Sequence, residues 1–187
     1  MQTAGFGFSL YTALSVSAVS FVCYAFVDDT DLVHTAKDVN TRGPTIIAEM
    51  QSALDHWEGG LKATGGALVS EKSYWYLIDF IWTGEKWRYA TKQDMSGDIS
   101  INNIDDSGRN TLRRFEVDIA KEMLGVFLAM DGNNKEETYH LRKKAVAFAN
   151  CIRMGFLTRE DATYALHWTI MKTLEYAIVA TTMDKAQ

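Results

Sequence analysis

With 187 residues, 47% hydrophobic and 23% charged, the chain can bury a sizeable core and is not a disordered or low-complexity segment. A net charge of −5 excludes a uniformly basic, nucleic-acid-coating protein, but the charge is uneven: residues 1–108 hold 7 Lys+Arg against 14 Asp+Glu, and residues 109–187 hold 12 against 10. Cys23 and Cys151 share no metal-ligand spacing; buried free thiols and a disulfide between them both stay open, and the sparse cysteine content points to an intracellular, non-secreted protein of cytoplasm or nucleus.

No Lys, Arg, Asp or Glu occurs between Met1 and Val27. The run lacks a basic leader and is broken by Ser9, Thr12, Ser15, Ser17 and Ser20, while residues 15–21 nearly alternate. Buried strands are the expectation, with a membrane anchor over residues 4–27 as the alternative. Phe21 to Val27 then climbs as a β-prone strand to Asp28-Asp29, and Thr30 to His34 descends from it. Asp is rare within strands and common in turns, so the two acids are placed at a hairpin tip. Asp31 falls on the descending strand and is read as pointing elsewhere.

Gly43-Pro44 opens a helix, Pro suiting a first turn, and Ile46, Ile47, Met50, Ala53, Leu54, Trp57 and Leu61 give it one apolar face. Gly59-Gly60 weakens its end and Gly65-Gly66 makes a turn. Residues 73–82 read as one aromatic-rich strand, Thr83 to Lys86 as a turn and Trp87 to Ala90 as the returning strand. The aromatics at 74–76, 80, 82 and 87 are expected in the sheet core. Residues 93–110 read as a polar loop or short β-excursion.

Lys121 to Ala129 reads as another strand, ended by Asp131-Gly132-Asn133-Asn134. A helix follows with Leu141, Ala145, Phe148 and Ile152 inward, and it stops at Gly155. Thr158-Arg159-Glu160-Asp161 opens a last helix in capping-box style, with Ala162, Leu166, Ile170, Leu174 and Ile178 inward. Asn103-x-Asp105-x-Ser107-Gly108 begins like a calcium loop but has Arg114 at its twelfth position. The four histidines lack zinc spacing, and neither a phosphate-cradling glycine loop nor a nucleophile elbow is present.

Tyr24-Ala25-Phe26-Val27-Asp28-Asp29-Thr30 resembles the catalytic hairpin of reverse transcriptases. The order behind it is similar too: a helix with a late Trp57, Gly65-Gly66, Lys72 before a strand, Leu124-Gly125-Val126-Phe127-Leu128, and Leu141-Arg142-Lys143-Lys144-Ala145. The resemblance runs from about Phe21 to Met183. It implies an α+β fold: a palm-like antiparallel sheet with a covering helix over residues 1–130, then a two-helix connection or thumb-like region over residues 131–187. It also implies magnesium-dependent nucleotidyl transfer on an RNA or DNA template-primer, with Asp28 and Asp29 as catalytic metal carboxylates. Lys72 would stand near the incoming nucleotide's phosphates, and Arg142, Lys143 and Lys144 would grip nucleic acid.

A two-cation site needs several carboxylates. The family places a further catalytic Asp on an upstream strand, whereas no residue before Asp28 is acidic, so this chain by itself is expected to be inactive. The competing class is a non-catalytic remnant that binds nucleic acid or protein and uses the hairpin structurally.

Overall fold

The computed structural model describes residues 6–12, 15–26, 29–36, 38, 40–104 and 107–178, with side chains from Phe21 onward, Phe26 excepted. The chain is mixed α+β and divides into two compact units, Met1–Glu116 and Val117–Gln187.

In the first unit β1 (Phe6–Thr12), β2 (Ser15–Phe26) and β3 (Asp29–Val33) form an antiparallel sheet in that order, with an irregularity between Leu10 and Thr12. The uncharged start is therefore paired strand where described, and no described helix is long and apolar enough to cross a membrane. The two-residue period of a strand puts Phe21 and Cys23 on one face of β2 and Val22 and Tyr24 on the other. Helix α1 (Gly43–Ala63) covers the first face: Phe21, Cys23 and Ala53 are buried together, with Leu32 and Trp57 packed against them. The Phe21 and Trp57 rings meet edge to face at 6.1 Å. Ile47 and Leu54 of the same helix join Trp75, Leu77, Ile99, Ile101 and Leu112 in the main core. The inward face is thus the one its spacing predicts. Gly59 and Gly60 do not end the helix; it stops after Ala63, where Thr64 and Gly65 turn their amides back to Leu61 and Lys62 and Gly65 takes φ +83°.

The single strand expected over residues 73–82 is two. β4 (Tyr74–Tyr76) pairs in parallel with β9 (Arg113–Phe115), and β5 (Phe80–Thr83) pairs antiparallel with β6 (Lys86–Tyr89) around Gly84 at φ +65°. Asp79 sits at the break: one carboxylate oxygen accepts the Phe80 amide at 2.7 Å, and its carbonyl accepts the Ala90 amide. Its other oxygen lies beside Gly43, at the start of a helix with no acidic residue in its first turn, where a negative charge is favourable. The expectation that the aromatics are all core is also corrected. Trp75 is buried and Tyr74 and Tyr76 half-buried, but Phe80, Trp82 and Trp87 are exposed. The β5–β6 pair is an isolated two-stranded sheet, so the rings of Phe80, Trp87 and Tyr89 pack on one another instead.

Within residues 93–110, β7 (Ser100–Asn102) and β8 (Arg109–Thr111) make a short hairpin pinned by the polar side of α1. Gln51 exchanges two hydrogen bonds with the Ser100 main chain at 2.8 and 2.9 Å. Glu58 accepts from the Asn102 amide and side chain, and Asp55 pairs with Arg109 at 2.6 Å. Positions i, i+4 and i+7 fall on one side of a helix, which is why one element can hold the whole hairpin.

In the second unit the expected single strand over residues 121–129 is a hairpin, β10 (Lys121–Met123) with β11 (Val126–Leu128). Leu124 and Gly125 have φ +51° and +82°, the conformation of a tight two-residue hairpin turn; Leu is an unusual residue there, and so disguises it. Helix α2 (Lys135–Met154) buries Leu141 and, in its first turn, Glu137, whose carboxylate accepts the Phe127 amide at 2.7 Å. Ala145, Phe148 and Ile152 follow on its half-buried side. The Thr158–Asp161 capping box opens α3 (Arg159–Ala165), which continues through a π-helical turn (Leu166–Ile170) into α4 (Met171–Ile178). The π-turn inserts one residue into the inward stripe, which runs Ala162, Ala165, Ile170, Leu174, Ala177. Leu166 and Ile178, expected inside, are consequently exposed. Both cysteines are free; Cys23 is buried and Cys151, contrary to expectation, exposed.

Candidate functional site

The β2–β3 register pairs Tyr24 with Asp31, Ala25 with Thr30 and Phe26 with Asp29. Two residues, Val27 and Asp28, separate Phe26 from Asp29, the spacing of a tight hairpin; Asp28 itself lies outside the described residues. Asp29 opens β3 and is exposed. Asp31 stands two residues on, and a strand places such residues on the same face. It does not point elsewhere: Asp29 and Asp31 share the face with Tyr24 that α1 leaves uncovered. Partial desolvation of the Asp31 carboxyl, then the Asp29 charge, pushes its pKa up.

The charges of Asp31 and Asp29 reach Tyr74 of the separate β4–β9 pair. Register places Tyr74 opposite Arg113 and Tyr76 opposite Phe115, so all four side chains share one face. The Tyr74 ring meets those of Tyr76 and Phe115 at 5.8 and 5.6 Å, and the Arg113 guanidinium lies 4.5 Å above the Phe115 ring. Burial, followed by the charges of Asp31 and Asp29, pushes the Tyr74 phenol up; burial and the neighbouring Tyr74 push Tyr76 up to about 12. The opposite face is structural. Trp75 donates to the Leu112 carbonyl at 3.3 Å, and the buried Arg114 stacks on Trp75 and donates to the Met95 carbonyl.

Lys72 lies in the turn before β4, exposed, its amide donating to the Val69 carbonyl. Arg142 and Lys143 are exposed on α2 of the second unit, and Lys144 is half-buried. Consecutive helical residues diverge by about 100°, so these three cations spread around the helix instead of forming one face.

Carboxylate oxygens are the donors magnesium prefers. The described part of the open face supplies two, Asp29 and Asp31, and no group of three His, Cys, Asp or Glu able to hold a metal occurs among the described residues. The donor type fits; the number falls short of a two-cation site. Tyr74 and Arg113 escape a sequence reading because a parallel pairing between strands almost 40 residues apart brings them there. Asp31 was readable from its i, i+2 spacing to Asp29. No family model, no curated protein and no solved structure matches this chain.

Proposed function

We propose that the chain is part of a reverse-transcriptase-like polymerase, contributing a palm-like sheet to magnesium-dependent nucleotidyl transfer on an RNA or DNA template-primer. The observation that carries this reading is the open face: among the described residues a helix covers one side of a three-stranded antiparallel sheet, and Asp29 and Asp31 stand on the other. Asp28 and Asp29 would be the metal carboxylates, with Asp31 beside them. Lys72 would serve the nucleotide's phosphates, and Arg142, Lys143 and Lys144 the nucleic-acid backbone. Two or three carboxylates on one hairpin hold cations weakly, so primer extension by this chain alone is not expected.

Manganese binding, followed by calorimetry or electron paramagnetic resonance, tests the reading. Weak binding that Asp28→Asn and Asp29→Asn each reduce is the expected result. Manganese affinity unchanged in both variants would remove the hairpin from any metal site.

A further inference from the structure

We infer that the helix running from α3 into α4 carries a site for a phosphocholine group, with Tyr164 and Trp168 holding the quaternary ammonium and Lys172 the phosphate. The inference stands apart from the polymerase reading and concerns the second unit alone. Glu160, Tyr164, Trp168 and Lys172 recur at intervals of four residues. An acid, two rings and a cation therefore climb one side of the helix, each step rising about 6 Å. In a regular helix such a row drifts sideways. The π-turn over Leu166–Ile170 underwinds the chain and offsets that drift between Tyr164 and Trp168. The two rings are 67% and 66% exposed, with centroids 6.3 Å apart and planes 34° from parallel. With Arg159 and His167 they line an open cleft of about 810 Å³, within the range of small-molecule sites.

Tyr and Trp carry large apolar areas and ordinarily stand in a core or at an interface. Here small and aliphatic residues fill the inward stripe, and the two rings stand outside it, meeting no third ring among the described residues. Ring faces attract a cation lying within about 6 Å of their centroids, and a quaternary ammonium is well suited to such a pair. One group can reach both rings at their 6.3 Å spacing. Glu160, one turn before Tyr164, adds a carboxylate at that end of the cleft. Lys172, one turn beyond Trp168, offers ammonium donors at the other; its 3.0 Å contact with Glu175 is exposed and therefore weak. Arg159 and Lys172 against Glu160 leave the lining net positive, which disfavours a bare cation. Phosphocholine joins its quaternary ammonium to a phosphate of about −1.5 to −2 charge, so it is net negative and matches both signs.

The test is titration of the full chain with phosphocholine, followed by calorimetry and by proton NMR of the ligand. Saturable binding is expected, with the N-methyl protons shifted upfield by the ring faces they cover. Trp168→Leu, at an exposed position where folding should be undisturbed, should weaken binding about fivefold or more, with Trp168→Phe between it and wild type. Lys172→Gln should weaken phosphocholine and leave choline unchanged. No saturable binding by wild type, or N-methyl protons unmoved at saturation, overturns the proposal. So does a Trp168→Leu affinity within about twofold of wild type. Phosphocholine affinity unchanged in Lys172→Gln overturns the placing of the phosphate. Sedimentation with phosphatidylcholine vesicles distinguishes the source of the group. Co-sedimentation that Trp168→Leu abolishes supports a lipid headgroup, and a response to soluble phosphocholine alone supports the free ester.

Discussion

On one face of β2 and β3, Phe21, Cys23 and Leu32 pack beneath Ala53 and Trp57 of α1; on the other, Val22, Tyr24, Asp29, Asp31 and Val33 stand uncovered. A sheet backed by a helix on one side ordinarily turns polar residues to water on the other. Here the open face is mixed: Val22, Tyr24 and Val33 are 41%, 49% and 42% exposed beside the two acids. Apolar and acidic groups mingled on an uncovered sheet suit contact with a ligand better than contact with water alone. The covered face therefore sets stability, and substitutions on the two faces should differ in their cost.

The largest expected effect lies on the covered face. Phe21→Ala empties a site only 3% exposed and should cost about 3–5 kcal/mol in urea unfolding. Next comes the polar edge of the covering helix. Gln51→Ala removes both hydrogen bonds to Ser100 and should cost about 1–2 kcal/mol, with faster amide exchange in β7 and β8. A smaller effect is expected at alkaline pH near the open face. Because the folded Tyr76 pKa is raised, its contribution is complete below the unfolded value near 10 and is lost as pH climbs through about 12. Absorbance of ionised tyrosine should show one group titrating late, and Tyr76→Phe should remove that phase. The smallest effect belongs to the acids: Asp29→Asn should change stability by less than about 0.5 kcal/mol, upward if anything, since it relieves repulsion on Asp31. A large destabilisation there would break the division between the faces.

Local chemistry made much of this legible. Pro44 and the three- and four-residue spacing behind it define α1, and the run from Phe21 to Val33 defines two paired strands, the second opening on Asp29. What stayed hidden depended on distant partners or on residues in unusual conformations. Leu124 carries a positive φ in a turn that Asn or Gly normally fills, with the Tyr176 hydroxyl donating to its carbonyl at 3.1 Å, so a two-strand hairpin reads as one strand. The π-turn widens the inward spacing to five residues between Ala165 and Ile170, which no fixed period anticipates. Asp79 interrupts a β-prone run, and one of its carboxylate oxygens lies beside Gly43 at the start of α1. At the site, Asp29 was legible as a hairpin acid, whereas Tyr74 and Arg113 arrive through β4 and β9 and leave no local signal.

On the proposed polymerase reading, the open face of the hairpin would receive a cation while the covered face would not. Magnesium titration followed through the side-chain carboxyl carbons of Asp28, Asp29 and Asp31, with the Leu32 methyl groups as internal reference, addresses it most directly. Saturable shifts are expected at Asp28 and Asp29 that disappear in Asp28→Asn, while the Leu32 methyls stay fixed. Unmoved carboxyl carbons at saturating magnesium, or shifts surviving Asp28→Asn unchanged, would contradict it.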